Sequence, residues 1–220
     1  FDDMIGRSVP FYHELQTMIL RLVQASSTPH NHIVDLGCST GTSIANIVRA
    51  LPDIPLELTG IDNSAPMLEK AKARVSKLNT PHTIHWQTHD LNYDISLPTH
   101  HISMSILTLQ FLKKSQRPAL LNEIYTTLSQ NGLFILVEKL HIETPQIDDI
   151  FTRFYYGFKK DHGYSELEID QKQRALETVL QPVSLEENQQ LLENAGFTKQ
   201  EIFFKWCNFV GILALKNPKI

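Results

Sequence analysis

Little in this sequence suits a partner larger than a small molecule. Of 220 residues only Cys38 and Cys207 are cysteine, too few for a disulfide framework and in keeping with a reducing, cytoplasmic setting. No apolar run approaches the roughly 18 residues that a membrane span requires, so no membrane partner is expected. Basic side chains (20) are outnumbered by acidic ones (24), giving a net charge of −4. Direct nucleic-acid binding normally needs the opposite balance. The ten histidines are scattered, with no acidic cluster at ligand spacing, so no metal centre is expected. The pairs Lys113-Lys114 and Lys159-Lys160 read as solvated surface. Without repeats or low-complexity segments, residues 1–220 are expected to form one domain, long enough to bury a sizeable core. The chain begins at Phe1 rather than Met, which leaves open a preceding segment, a targeting peptide included.

The run Val34-Asp35-Leu36-Gly37-Cys38-Ser39-Thr40-Gly41 joins an apolar stretch to a glycine-punctuated turn and then to helix formers from Thr42 to Leu51. Glycine lets the backbone pass close to a ligand, and a helix start offers unpaired N–H groups. Cys38 sits inside this turn, where small size counts for more than its thiol. The next strand, Leu56 to Asp62, ends in a carboxylate 25 residues after Gly37. That is near the roughly 20-residue offset at which an acidic side chain receives ribose hydroxyls in a Rossmann-like unit. An adenosine-containing cofactor is the expected ligand.

Further along, apolar periodicity marks a helix over 11–25, and Ser64 and Pro66 suit the start of a helix running to about Leu78. Strands are expected at Thr83–Thr88, His101–Leu107 and Leu133–Leu140. A helix over Gln116–Gln130 is expected to stop at Asn131-Gly132. Alternation of strand and helix predicts a mainly parallel sheet covered on both faces. Glu201–Cys207 and Phe209–Leu215, separated by Asn208 alone, predict an antiparallel closing hairpin. The expected fold is therefore α/β and Rossmann-like: seven strands on the class I methyltransferase plan, with a helical insertion over about 141–197. The aromatic residues Phe151, Phe154, Tyr155, Tyr156 and Phe158 make that insertion a cap on the sheet or a lid over a substrate pocket.

The glycine turn, Ile61-Asp62-Asn63-Ser64-Ala65-Pro66-Met67 and His89-Asp90-Leu91 together resemble the S-adenosyl-L-methionine (SAM) site of class I methyltransferases. More narrowly, Asp3 to Tyr12, Thr108-Leu109-Gln110-Phe111-Leu112 and Gly163 to Ile169 resemble the bacterial carboxy-SAM synthases of tRNA wobble-uridine modification. The resemblance runs over nearly the whole chain and implies roles by position. Tyr12 would close over the sulfonium or methionine end, and Asp35, Gly37, Cys38 and Ser39 would form the turn against the methionyl part. Asp62 would take the ribose hydroxyls, with Asn63 beside the adenine and Asp90 and Leu91 contacting it. It also implies a homodimer in which the inserted helices help to form the interface.

Two positions depart from the family. Gln173 stands where those synthases have an arginine for the cofactor's added carboxylate, and Ile106 replaces an asparagine. Glutamine supplies neither the charge nor the fork that a carboxylate prefers. Arg174 is adjacent, but one helical step turns it about 100° away. On these grounds methyl transfer from SAM to a small-molecule acceptor is the expected reaction, leaving S-adenosylhomocysteine. Tyr12, Tyr155, Tyr156, His162 and Tyr164 are candidates for positioning the acceptor, and the sequence singles out no catalytic group. The alternative is synthesis of carboxy-SAM and phenylpyruvate from SAM and prephenate. A SAM-binding protein without catalysis is the third reading.

Overall fold

A computed structural model describes residues 2–217; Phe1 and residues 218–220, the ends of the expected domain, lie outside the described residues. Seven strands form one sheet: β1 (His32–Leu36), β2 (Glu57–Asp62), β3 (Thr83–Thr88), β4 (His100–Ile106), β5 (Leu128–Lys139), β6 (Lys199–Trp206) and β7 (Phe209–Leu215). Their order is β3-β2-β1-β4-β5-β7-β6. The first five run parallel, and β7 pairs antiparallel with both β5 and β6. The hairpin turn is Cys207-Asn208, with Cys207 at φ 42°.

Every residue of β1 is buried, as expected of a strand covered on both faces. Alternate side chains serve opposite layers. Val34, Leu36, Phe134 and Leu136 pack with α5 (Arg117–Thr127) and α8 (Leu185–Ala195). Ile33, Met104, Ile135 and Val137 pack with α2 (Tyr12–Ser26) and α3 (Thr42–Ala50), where Leu68 of α4 (Ala65–Val75) joins them. A short first helix, α1 (Asp2–Ser8), precedes these. Among the described residues no helix is long and apolar enough to cross a membrane.

The largest boundary difference from the sequence reading is between α5 and β5. The helix expected to run to Gln130 ends at Thr127, and β5 begins at Leu128. The carbonyls of Tyr125 and Thr126 at its end, and of Leu128 just beyond it, accept hydrogen bonds from the Lys216 ammonium at 2.6–3.1 Å. A cation there favours the helix C-terminus, and the sequence gives no hint of it because Lys216 lies 88 residues beyond Leu128. The insertion expected over 141–197 lies between β5 and β6 and divides in two. Only α6 (Pro145–Asp161) and α7 (Glu166–Glu177) form the cap. The third helix, α8, buries Leu192 and Ala195 in the sheet core beside α5, opened by a Ser184–Glu187 capping box.

Candidate active site

The strand order reverses at β1, whose neighbours are β2 on one side and β4 on the other. In such sheets the loops leaving the carboxyl ends diverge there and open a crevice. At Gly37 (φ 76°) the turn after β1 meets the segment after β4 so closely that an added Cβ would lie 2.2 Å from Thr108 Oγ1. The Gly37 and Cys38 N–H groups both donate to the Ile61 carbonyl, at 2.8 and 3.0 Å. Ser39 (φ 51°) and Gly41 (φ 71°) keep the turn in the left-handed region before α3 starts. The Ser39 hydroxyl is buried without a hydrogen-bond partner among the described residues.

Asp62 closes β2 and organises the turn. Its Oδ2 accepts from Ser39 N–H at 2.9 Å and its Oδ1 from Ser64 N–H at 2.8 Å. Each oxygen keeps a further acceptor direction, which is what a vicinal diol requires. Asn63 is exposed beside it. His89 N–H donates to the Asp62 carbonyl at 3.0 Å, bringing the loop after β3 alongside. In that loop Asp90 Oδ1 accepts from both Asn92 N–H and Asn92 Nδ2 at 2.9 Å, while Leu91 is buried in the core. Asp90 therefore caps its own loop with one oxygen.

Asp35 is fully enclosed, and burial together with the neighbouring Asp62 charge pushes its carboxyl up to about 7. Tyr12, at the start of α2, is buried and accepts from Gln16 Nε2 at 3.2 Å. Burial, then the Asp35 and Asp2 charges, push its hydroxyl up to about 12. Burial likewise raises the Cys38 thiol far above its ordinary value, and Cys38 Sγ packs against Gly60. It stays a neutral thiol, in line with the reading that its size matters more than its nucleophilicity.

Ile106 ends β4 half-buried at the crevice edge. Gln173 and Arg174 both lie exposed on α7, and Gln173 Oε1 accepts from the Tyr156 hydroxyl on α6. The structure thus gathers Tyr12, Asp35, Gly37, Cys38, Ser39, Asp62, Asn63, Asp90, Leu91 and Ile106 at the carboxyl edge of the sheet. Gln173 and Arg174 sit apart, on the cap.

Two features escaped the sequence reading. The first is α1, which crosses from the crevice to the cap. Asp2 accepts from Thr40 Oγ1 at 2.6 Å and pairs with Arg74, while Ser8 Oγ meets the Tyr164 hydroxyl at 2.8 Å and Ser8 O accepts from Tyr155. The second is Lys159, read as surface. Lys160 is indeed exposed and paired with Glu166, but Lys159 is buried over the Tyr155 ring. Adjacent residues on a helix point about 100° apart, and the aromatic pair Tyr155-Tyr156 was the available signal for which one turns inward.

Comparison with known proteins identifies relatives of the chain. A methyltransferase-domain family model matches residues 33–132. The chain is 44% identical to the carboxy-S-adenosyl-L-methionine synthase of Methylococcus capsulatus, over 98% of this chain and 89% of that one. It is 37% identical to a synthase of the same name from Helicobacter pylori, over 99% and 90%. The chain belongs to the carboxy-S-adenosyl-L-methionine synthase family. Similarity to solved structures of lower identity carries the fold alone. The YcgJ protein of Bacillus subtilis superposes with a TM-score of 0.69 at 12% identity, covering 94% of this chain and all of that one. Human N-acetylserotonin methyltransferase in complex with SAM gives 0.59 at 20%, covering 92% and 51%. The fold is the Rossmann-like class I methyltransferase fold, and the chain is a SAM-dependent transferase with SAM as its cofactor.

The crevice fits that cofactor on its own terms. Two carboxylates suit a ligand carrying a sulfonium and an ammonium, the Asp62 oxygens suit a ribose diol, and the orphaned Ser39 hydroxyl lacks only a polar partner.

Proposed function

We propose that the protein makes carboxy-SAM from SAM and prephenate, with phenylpyruvate and water as the other products. The carrying observation is the span of the similarity. Identity of 44% extends through the cap, whereas the methyltransferase-domain match stops at residue 132. In balance, one C–H bond of the SAM methyl group breaks. In prephenate the ring–carboxyl C–C bond and the ring C–OH bond break, the first leaving its electron pair to the ring as it becomes aromatic. A C–C bond forms between the methyl carbon and the departing carboxyl carbon. The methyl proton leaves with the prephenate ring hydroxyl as water. Bound SAM supplies the methyl carbon, activated by its sulfonium.

The chain's own work is binding, orientation and exclusion of water. In this reading Gly37, Cys38 and Ser39 bring backbone against the methionyl part and Asp62 takes the ribose hydroxyls. The free Asp90 oxygen takes the exocyclic amine of adenine, against Leu91, with Asn63 alongside. Tyr12 lies over the sulfonium end, and Asp35 places a carboxyl where cationic charge arrives. The reading also includes a cytoplasmic enzyme acting on small molecules, with no direct nucleic-acid or membrane contact, as a homodimer. The exposed apolar residues Ile147, Ile150 and Phe154 of α6, 44–60% exposed at helical spacing and the last of them stacked on Trp206, favour the cap as its interface.

Methyl transfer to a small acceptor stays the second reading because of Gln173, a neutral side chain where the family's arginine would stand. Mass spectrometry of the nucleoside released from denatured protein, with an assay on SAM and prephenate, separates the two. Carboxy-SAM and phenylpyruvate in equal amounts support the synthase. SAM or S-adenosylhomocysteine alone, with no prephenate consumed, supports methyl transfer.

A further inference from the structure

Three ammonium groups from three elements converge under the cap. Lys159 Nζ of α6 lies 4.4 Å from the Tyr155 ring centroid, and Lys139 Nζ, at the end of β5, lies 5.2 Å from the same centroid. Lys172 of α7 donates to the Tyr164 hydroxyl at 2.6 Å and to Ser8 Oγ at 3.0 Å. Lys159 is 6% exposed, and its ammonium lies over the Tyr155 and Tyr156 rings without a hydrogen bond among the described residues. No carboxylate forms an ion pair with any of the three among those residues; Asp148 and Glu168 act on Lys139 and Lys172 only from beyond hydrogen-bond reach. Buried like charges without a counterion are unfavourable unless something else compensates them. Burial, then the Lys139 and Lys172 charges, hold the Lys159 ammonium down at about 8.

The cluster adjoins the crevice. Tyr155 packs with Val9, Tyr12 and Phe209, and Leu107 from the segment after β4 packs against them. Lys139 N–H donates to Gln110 Oε1 at 2.8 Å, tying the end of β5 to that same segment. Lys159 Nζ is also 5.7 Å from the Tyr156 ring, whose hydroxyl holds Gln173. Cationic charge is therefore present next to the position where the sequence has lost it.

We propose that Lys139, Lys159 and Lys172 form a binding site for a small carboxylate dianion, seated between the cap and the sulfonium end of the crevice. Assigning that dianion to the carboxyl donor rests on the synthase reading; the site itself does not. A carboxylate there supplies the missing counterion, and lysine, unlike arginine, meets it as a point charge with rotatable donors.

The test uses the full chain, calorimetric titration with prephenate and, as a probe outside any reaction, with succinate. Lys159→Met and Lys139→Met should weaken both by tenfold or more. S-adenosylhomocysteine affinity should stay within twofold, and Lys159→Arg should recover part of the loss. Melting temperature should hold or rise in Lys159→Met, because an uncompensated buried charge is removed. Unchanged affinity for both acids in the two methionine variants overturns the site, as does failure of the unmodified protein to bind either acid. A lower melting temperature with unchanged affinity also overturns it, since that marks a structural lysine. If lysine-dependent binding is found but no carboxy-SAM forms, the site stands and the synthase reading falls. If carboxy-SAM forms with an unaltered KM for prephenate in both variants, the reverse holds.

Discussion

The crevice and the cap solve opposite electrostatic problems with different parts. The crevice is made of backbone and carboxylates: Gly37 to Gly41, Asp35 and Asp62, set by strands buried on both faces. The cap is made of long side chains: Lys159 and Lys172 with Tyr155, Tyr156 and Tyr164, held by helices that bury little. One region is prepared for positive charge and the other for negative charge. Fixed backbone gives the first its shape before any ligand arrives, whereas the second depends on residues brought from α1, β5, α6 and α7.

The harshest way to break the crevice alone is Gly37→Ala. The added Cβ would meet Thr108 and would have to accept φ 76°. Overpacking and a left-handed non-glycine residue together should cost about 2–4 kcal/mol, seen as a lower denaturation midpoint, with cofactor binding lost. Next, Asp62→Ala should weaken S-adenosylhomocysteine about 100-fold by calorimetry. This corresponds to losing about 3 kcal/mol of charge-assisted hydrogen bonding. A loss below threefold would remove Asp62 from the ribose role. Phe154→Asp acts on the other region. If the parent sediments as the proposed homodimer, the variant should shift to monomer while cofactor affinity stays within twofold; an unshifted dimer would move the interface off α6, and a monomeric parent would remove the dimer.

The smallest effect is in pH dependence. Asp35 titrates at about 7 in the fold against an ordinary carboxyl value of 3.8. Its folded-state value is raised, so its stabilising contribution is complete below about 4 and is lost as pH rises toward and through about 7. Unliganded Asp35→Asn should therefore show a flatter melting temperature between pH 4 and 7 than the parent. A cationic ligand lowers the Asp35 value, so SAM binding at pH 7 should release a fraction of a proton, measured in buffers of differing ionisation enthalpy. Proton uptake instead would place the sulfonium away from Asp35.

How legible each region was in the sequence follows from the same contrast. Gly37, Asp62 and Asp90 are local signals: a turn and two strand ends at fixed offsets, where neighbours in the chain create the site. The alternation of β1 to β5 with helices was equally local and carried the fold. Lys159 was misread because the charge pair was read alone: Tyr155, one helical turn back, was legible, whereas Lys139 on β5 and Lys172 on α7 are brought to it only by the fold. The end of α5 was misplaced because its cap, Lys216, comes from the far end of the chain. The insertion has the expected bounds, but the sequence does not show that α8, alike in composition to its neighbours, packs on α5. What depends on contacts between distant segments is what the sequence conceals.

The first helix has no buried residue of its own. Its side chains grip the glycine turn and α4 at one end, through Asp2, and the cap at the other, through Ser8. No strand ladder secures it, so it can open while the sheet stays intact. Its amides will exchange with solvent through that local event, at a rate set by a few clasps rather than by global stability. The residence time of anything held between turn and cap is thereby separated from the durability of the protein, and a single clasp residue can alter one without touching the other.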